Sequence, residues 1–113
     1  MYLLTIIIPV YNIESYLKRC LDSILHNQDV PLEVLLINDG STDSSGDICE
    51  DYATKDDRVR VLHQKNKGVS VARNVGIQNA KGDFICFIDG DDWIESHSLE
   101  KMLKNATPDC DIL

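Results

Sequence analysis

The sequence predicts an α/β fold: a mostly parallel sheet with helices on both faces. Two observations carry this. Apolar, β-branched runs alternate strictly with stretches of helical periodicity, and the connections between them are short. A third observation bounds it: 113 residues suffice for one domain and not for two.

Leu3 to Pro9 is a continuous apolar run and reads as a strand buried on both faces. Asn12 is positioned to cap the helix that follows, in which Leu17, Cys20, Leu21, Ile24 and Leu25 form one apolar face. Asn27 to Pro31 ends it, and Leu32 to Asn38 is the second strand. Asp39-Gly40-Ser41-Thr42-Asp43 is turn and cap chemistry. Ile48, Cys49, Tyr52 and Ala53 mark the second helix, which Asp56 and Asp57 end. Val59 to Gln64 is a third strand and Lys65 to Gly68 a loop. Val71, Ala72, Val75 and Ala80 predict a helix over 69–80, with Gly82 as its stop. Phe84 to Asp89 is a fourth strand, and Ser96 to Asn105 a helix through Leu99, Met102 and Leu103. Asp111-Ile112-Leu113 opens a fifth strand. A domain ending there is expected to be a fragment of a longer protein.

Composition is that of a globular chain, 43% hydrophobic and 27% charged. The net charge of −8 argues against a nucleic-acid partner, which needs a basic face. Apolar runs such as Ile6 to Val10 fall far short of a membrane span, and no secretory leader is visible. Cys20, Cys49, Cys86 and Cys110 show no Cys-x-x-Cys spacing, so four reduced cysteines in a cytosolic protein are expected.

In an open α/β sheet, ligands bind at the carboxyl ends of the strands. Pro9, Val10, Tyr11 and Asn12 land on that edge, with Asn38 to Ser41, Gln64 to Gly68, and Asp89 to Asp92. The opposite edge carries Pro31, Asp57 and Lys81. Asp89 and Asp91, two apart on an extended segment, point the same way and converge. Two convergent carboxylates call for a hard divalent cation, magnesium or manganese, shared with substrate phosphates. Gly90 lets a ligand approach the backbone. The competing reading is an acidic turn with Asp92 as a helix cap. Asp39 offers an acceptor to a base or ribose, or a turn cap. Tyr11 lies against a base or stands as a surface aromatic. Arg73 suits a diphosphate. Trp93 reads as a packing residue, Lys65 and Lys67 as solvated. His26, His63 and His97 have no Ser or Cys partner and read as structural or surface residues. The absence of Gly-x-Gly-x-x-Gly and of a P-loop excludes those two phosphate cradles.

Four segments, Thr5–Asn12, Asn38–Asp43, Gly68–Gly76 and Phe87–Asp92, resemble in order the motifs of family 2 glycosyltransferases. Asn38 and Ser96 depart from the family pattern, which often has Asp and Pro there. The resemblance implies a GT-A fold whose Rossmann-like half binds a nucleotide sugar, with residues 1–113 as that donor half and the acceptor half missing. It implies transfer from a nucleotide-diphosphate sugar, a UDP-sugar by preference, to a hydroxyl of a saccharide or lipid-linked acceptor. It implies inversion and a manganese or magnesium ion, in a role such as polysaccharide biosynthesis. Tyr11 and Asp39 carry over as nucleoside contacts, Arg73 as a diphosphate-side contact, and Asp89 and Asp91 as the ribose and metal pair. Pro9, Asn12, Gly40 and Gly90 complete the expected binding set. The general base is expected beyond Leu113, so this chain alone is expected to bind without turnover. A cytoplasmic protein is expected, peripheral to membranes at full length and self-associating through an exposed C-terminal edge around Leu99, Met102 and Leu103. The alternatives are a non-catalytic nucleotide-diphosphate-sugar-binding module and a nucleotidyltransferase; the latter usually brings a Gly-rich basic loop that Val10 to Ile13 is not.

Overall fold

A computed structural model describes residues 3–26, 28–105 and 110–112, the last segment and the end of the final helix by backbone alone. The elements alternate as predicted: β1 Leu4–Val10, α1 Leu17–Leu25, β2 Leu32–Asp39, α2 Ser45–Lys55, β3 Val59–Gln64, α3 Val69–Asn79, β4 Phe84–Phe87, α4 Ser98–Asn105 and β5 Cys110–Ile112.

The five strands form one sheet in the order β3-β2-β1-β4-β5. β1 to β4 are parallel, in register Val10 to Asn38, Asp39 to Gln64 and Ile7 to Phe87. β5 runs antiparallel to β4. The chain winds from β1 out to β3, then returns to the other side of β1 to lay down β4. That reversal opens a crevice at the carboxyl end of β1, between the ends of β2 and β4.

Alternation along the strands sorts the core into two layers. Leu4, Ile6, Ile8 and Val10, with Leu32, Val34 and Leu36, pack on Leu17, Cys20, Leu21 and Ile24 of α1, Cys49 of α2 and Leu99 of α4. Ile7, Leu35, Ile37 and Ile85 face the other way, onto Ala72 of α3. Helices thus cover both faces. Each fully buried Leu or Ile contributes about 1.5–3 kcal/mol, which is why β1 and β2, buried at nearly every position, anchor the fold.

Several local expectations are corrected. α1 begins at Tyr16 with no side-chain cap; Asn12 sits at φ 50° and serves another loop. α3 ends at Ala80, and Gly82 instead lies against Thr5, whose Oγ1 a Cβ there would approach to 2.5 Å. α4 starts at Ser98 because His97 adopts φ 61°, a left-handed turn that a helix cannot include. Leu99 is fully buried against the α1 layer, so it bares no apolar surface. Met102, Leu103 and Leu113 lie outside the described side chains. Cys20 and Cys49 are free and buried, but Cys86 is disulfide-bonded, so four reduced cysteines is not the observed state. The antiparallel β4–β5 ladder, whose backbone register sets Cys110 opposite Cys86, was not foreseen.

Candidate functional site

Pro9, Tyr11, Asp39, Asp89, Gly90 and Asp91 surround one cavity of about 400 Å³ at the crevice. The same cavity is lined by Val10, Asn66 and Gly68, also expected on that edge, and by Ile13 and Val69, which were not. Asn12, Gly40 and Arg73 stand outside its lining and act on its walls.

Asp39 leaves the end of β2 and is 4% exposed. Its Oδ1 accepts from Gln64 Nε2 at 2.8 Å and from the Lys67 N–H at 2.7 Å; its Oδ2 accepts from the Gly68 N–H at 3.0 Å. Asn66 Nδ2 donates to the Asp39 backbone oxygen at 3.1 Å. Burial alone would raise the pKa of this carboxyl. The bonds from Gln64, Lys67 and Gly68 outweigh it and hold the group below the usual carboxylate range. Asp39 therefore shapes the β3–α3 loop that floors the cavity. Gly40, at φ 73°, makes this possible: a Cβ there would stand 2.7 Å from the Asn66 nitrogen. The sequence signal for Asn66 and Gly68 is their place just past the carboxyl end of β3.

Asn12 joins two loops. Its Oδ1 accepts from the Thr42 N–H at 2.8 Å and the Asp43 N–H at 3.3 Å, and its own N–H donates to Ser41 Oγ at 3.1 Å. The β1–α1 loop carrying Tyr11 is thereby tied to the β2–α2 loop. Tyr11 itself is 49% exposed on the cavity wall. The positive φ explains the choice of Asn, which tolerates that conformation better than most residues.

The acidic group is assembled by a turn rather than by strand alternation. β4 ends at Phe87, and the Asp92 N–H donates to the Asp89 carbonyl at 3.0 Å. The turn brings a third carboxylate into the cluster: oxygens of Asp89, Asp91 and Asp92 lie within 4.8 Å of one another, all exposed. Asp92 caps no helix, since α4 begins six residues later at Ser98. Gly90 is accounted for by packing as well as by access, because a Cβ there would overlap Ile13 Cδ1. Three exposed carboxylates form an all-oxygen donor set, the chemistry that suits magnesium or manganese.

Arg73 is the nearby counter-charge. Its Nη2 lies 3.9 Å from Asp89 Oδ1, and its guanidinium sits over Phe87, 5.5 Å from the ring centroid. Beneath the cluster, Cys20 Sγ donates to the Asp89 carbonyl at 3.7 Å. Burial, then the fields of Asp92, Asp91 and Asp89, push that thiol up to about 12, so it is neutral and not a nucleophile. The histidines stay out of the site: His63 lies 2.6 Å from Glu50 and 3.0 Å from Asn38 Nδ2, and His97 lies 2.6 Å from Asp29. Trp93 is 54% exposed, contrary to its reading as a packing residue, because Ile94 takes the inward position.

Residues 5–113 match the sequence model of the family described as Glycosyl transferase family 2. The chain belongs to that family. Among family 2 relatives, it is 46% identical over 101 residues to glycosyltransferase GlyA of Streptococcus pneumoniae, covering 89% of this chain and 14% of GlyA. It is 46% identical over 104 residues to the uncharacterized glycosyltransferase EpsJ of Bacillus subtilis, covering 92% of this chain and 30% of EpsJ. The structure is similar to that of S. aureus TarS 1-349 in complex with UDP-GlcNAc, with TM-score 0.80 and 34% identity over 92% of this chain and 30% of that one. It is also similar to the mannosyltransferase PcManGT from Pyrobaculum calidifontis in complex with GDP-Man and Mn2+, with TM-score 0.79 and 26% identity over 93% of this chain and 32% of that one. The GT-A fold of family 2 is thus the fold of this chain, which spans about a third or less of each of these proteins. Among the described residues, no helix is long and apolar enough to cross a membrane.

Proposed function

We propose that this chain is the donor-binding half of a glycosyltransferase that takes its sugar from a nucleotide diphosphate, by preference UDP. The observation that supports it is one cavity with a buried, hydrogen-bonded acid, Asp39, on one side and, on the other, Asp89 and Asp91 of an exposed three-carboxylate cluster. The first suits a neutral nucleoside and the second a cation-bridged diphosphate. TarS in complex with UDP-GlcNAc, and PcManGT with GDP-Man and Mn2+, support the same reading.

In this reading Tyr11 flanks the base. Asp39 holds the Asn66–Gly68 loop against the nucleoside, its Oδ2 accepting from the Gly68 N–H at 3.0 Å and from Asn66 Nδ2 at 3.5 Å. Asp89, Asp91 and Asp92 would hold manganese or magnesium, which when bound would neutralise the departing diphosphate. Arg73 presents guanidinium donors at the same edge, beside Asp89. Inversion, a saccharide or lipid-linked acceptor, and a cytoplasmic protein that meets membranes peripherally complete the proposal. So does self-association through β5, a three-residue edge strand. The general base is assigned to no described residue.

Calorimetry with UDP in EDTA and then in manganese tests the reading. Binding is expected to be at least tenfold tighter with the metal; equal affinity in both buffers overturns it. Parallel titrations with GDP and dTDP decide the preference for UDP.

A further inference from the structure

Three depressions adjoin one another through shared lining residues. The donor cavity shares Asp89 with a smaller cleft of about 280 Å³ that also holds Arg73, Asp92 and Trp93. Trp93 and Ile94 are in turn the wall between that cleft and a groove of about 790 Å³ running over α1. Around Trp93 the groove is rimmed by Arg19, Asp22, His26 and Glu95. We propose that this groove is a saccharide subsite with Trp93 as its stacking face. The proposal rests on the donor reading for its place in a reaction.

The chemistry follows from the residues. A pyranose ring has an apolar face of C–H groups and a rim of hydroxyls. It needs a flat aromatic below and mixed donors and acceptors around it. The chain places its single tryptophan outward, 54% exposed, among a guanidinium, an imidazole and two carboxylates. The platform is held in place. Ile94 packs into the core, its N–H donates to Ser23 Oγ at 3.1 Å, and Gln28 Nε2 donates to the Glu95 carbonyl at 2.8 Å. Such anchoring on both sides fixes an exposed aromatic without burying it. The groove neighbours the acidic cluster through Trp93 and Ile94, which line both it and the cleft holding Asp89 and Asp92. The net charge of −8 and the mixed rim disfavour a polyanion as the occupant.

Trp93 is its own reporter, since the chain has no other tryptophan. The 113-residue chain is titrated with cellobiose, maltose and N,N′-diacetylchitobiose, with sorbitol as a hydroxylated control lacking a ring face. Tryptophan fluorescence and saturation-transfer NMR are read together. At least one ring sugar is expected to give a saturable fluorescence change and saturation of its C–H face, and sorbitol neither. Trp93→Ala should weaken that sugar about tenfold and Trp93→Phe by less, both read by NMR. Asp91→Asn should leave the sugar response intact while removing metal-dependent UDP binding, which separates this proposal from the donor reading. No saturable response to any ring sugar overturns it. So does unchanged sugar binding in Trp93→Ala. Trp93 emission that shifts with protein concentration, tracking dimer formation in light scattering, also overturns it by making the face a contact between copies.

Discussion

The two ends of the sheet treat carboxylates in opposite ways. At the amino end, Glu33 on β2 is 8% exposed and fully partnered. Thr5 Oγ1 donates to it at 2.7 Å, Arg60 Nη2 at 3.0 Å and the Lys81 N–H at 2.5 Å, while Arg60 also donates to the Asn79 carbonyl at 2.7 Å. These bonds fasten the α3–β4 connection under β1 and β2. At the carboxyl end, Asp89, Asp91 and Asp92 are exposed and crowd one another, with Arg73 lying 3.9 Å from Asp89. An acid that supports the fold has its acceptors filled from within; an acid that waits for a ligand keeps them open and tolerates repulsion. Asp39 is intermediate: it stands at the carboxyl edge and yet is bonded like Glu33.

The largest effect on stability is therefore expected at Glu33. Removing a buried carboxylate leaves Thr5, Arg60 and the Lys81 N–H without their acceptor. Glu33→Ala should cost about 3 kcal/mol in urea unfolding. UDP affinity of the folded fraction should be unchanged, since no cavity residue touches Glu33. A loss below about 1 kcal/mol would place the support of this edge in the apolar layers instead.

Asp39 should show both faces of the contrast. Asp39→Asn keeps the volume but sets an amide against the N–H groups of Lys67 or Gly68, with an expected cost of about 2 kcal/mol. It should also weaken uridine, because the loop that floors the cavity loses its clamp. The pH dependence has a definite sign. The folded carboxyl lies below its ordinary value, so its contribution is complete above the unfolded pKa of about 4 and disappears as pH falls through the folded one. Wild type should lose stability below about pH 4 more steeply than Asp39→Asn. Parallel acid titrations of the two proteins would refute the clamp.

The sheet, the order of its elements and the edge bearing the chemistry were legible in the sequence, because periodicity and strand-end position are local signals. β3 matched to the residue and α1 in its apolar face. What was not legible depended on contacts between distant segments. The Glu33 cluster joins residues 27 to 48 positions apart. Asn12 read as a cap because Asn caps helices; the Thr42 and Asp43 N–H groups that donate to its Oδ1 lie across a loop about 30 residues away. Trp93 read as core because large aromatics usually are, while neighbouring Ile94 took the inward place. Asp92 entered the acidic cluster because the segment turns instead of continuing as a strand, a difference that depends on one i to i+3 hydrogen bond.

The smallest effect on stability and the sharpest on function should coincide at Asp91. Its side chain is exposed, and among the described residues its close neighbours in the cluster are two like charges. Asn is nearly the same size and removes one repulsive partner, so the urea midpoint of Asp91→Asn should equal that of wild type or rise slightly. The amide keeps an oxygen but surrenders the charge that holds a hard cation, so metal-dependent enhancement of UDP binding should vanish while uridine affinity stays. Low salt should enlarge the gain in midpoint, because repulsion between exposed carboxylates is screened over about 10 Å at 0.1 M. A variant that unfolds earlier than wild type, or that keeps its response to manganese, would show that Asp91 belongs with Glu33 as a structural acid, and that the contrast between the two edges has been drawn at the wrong residue.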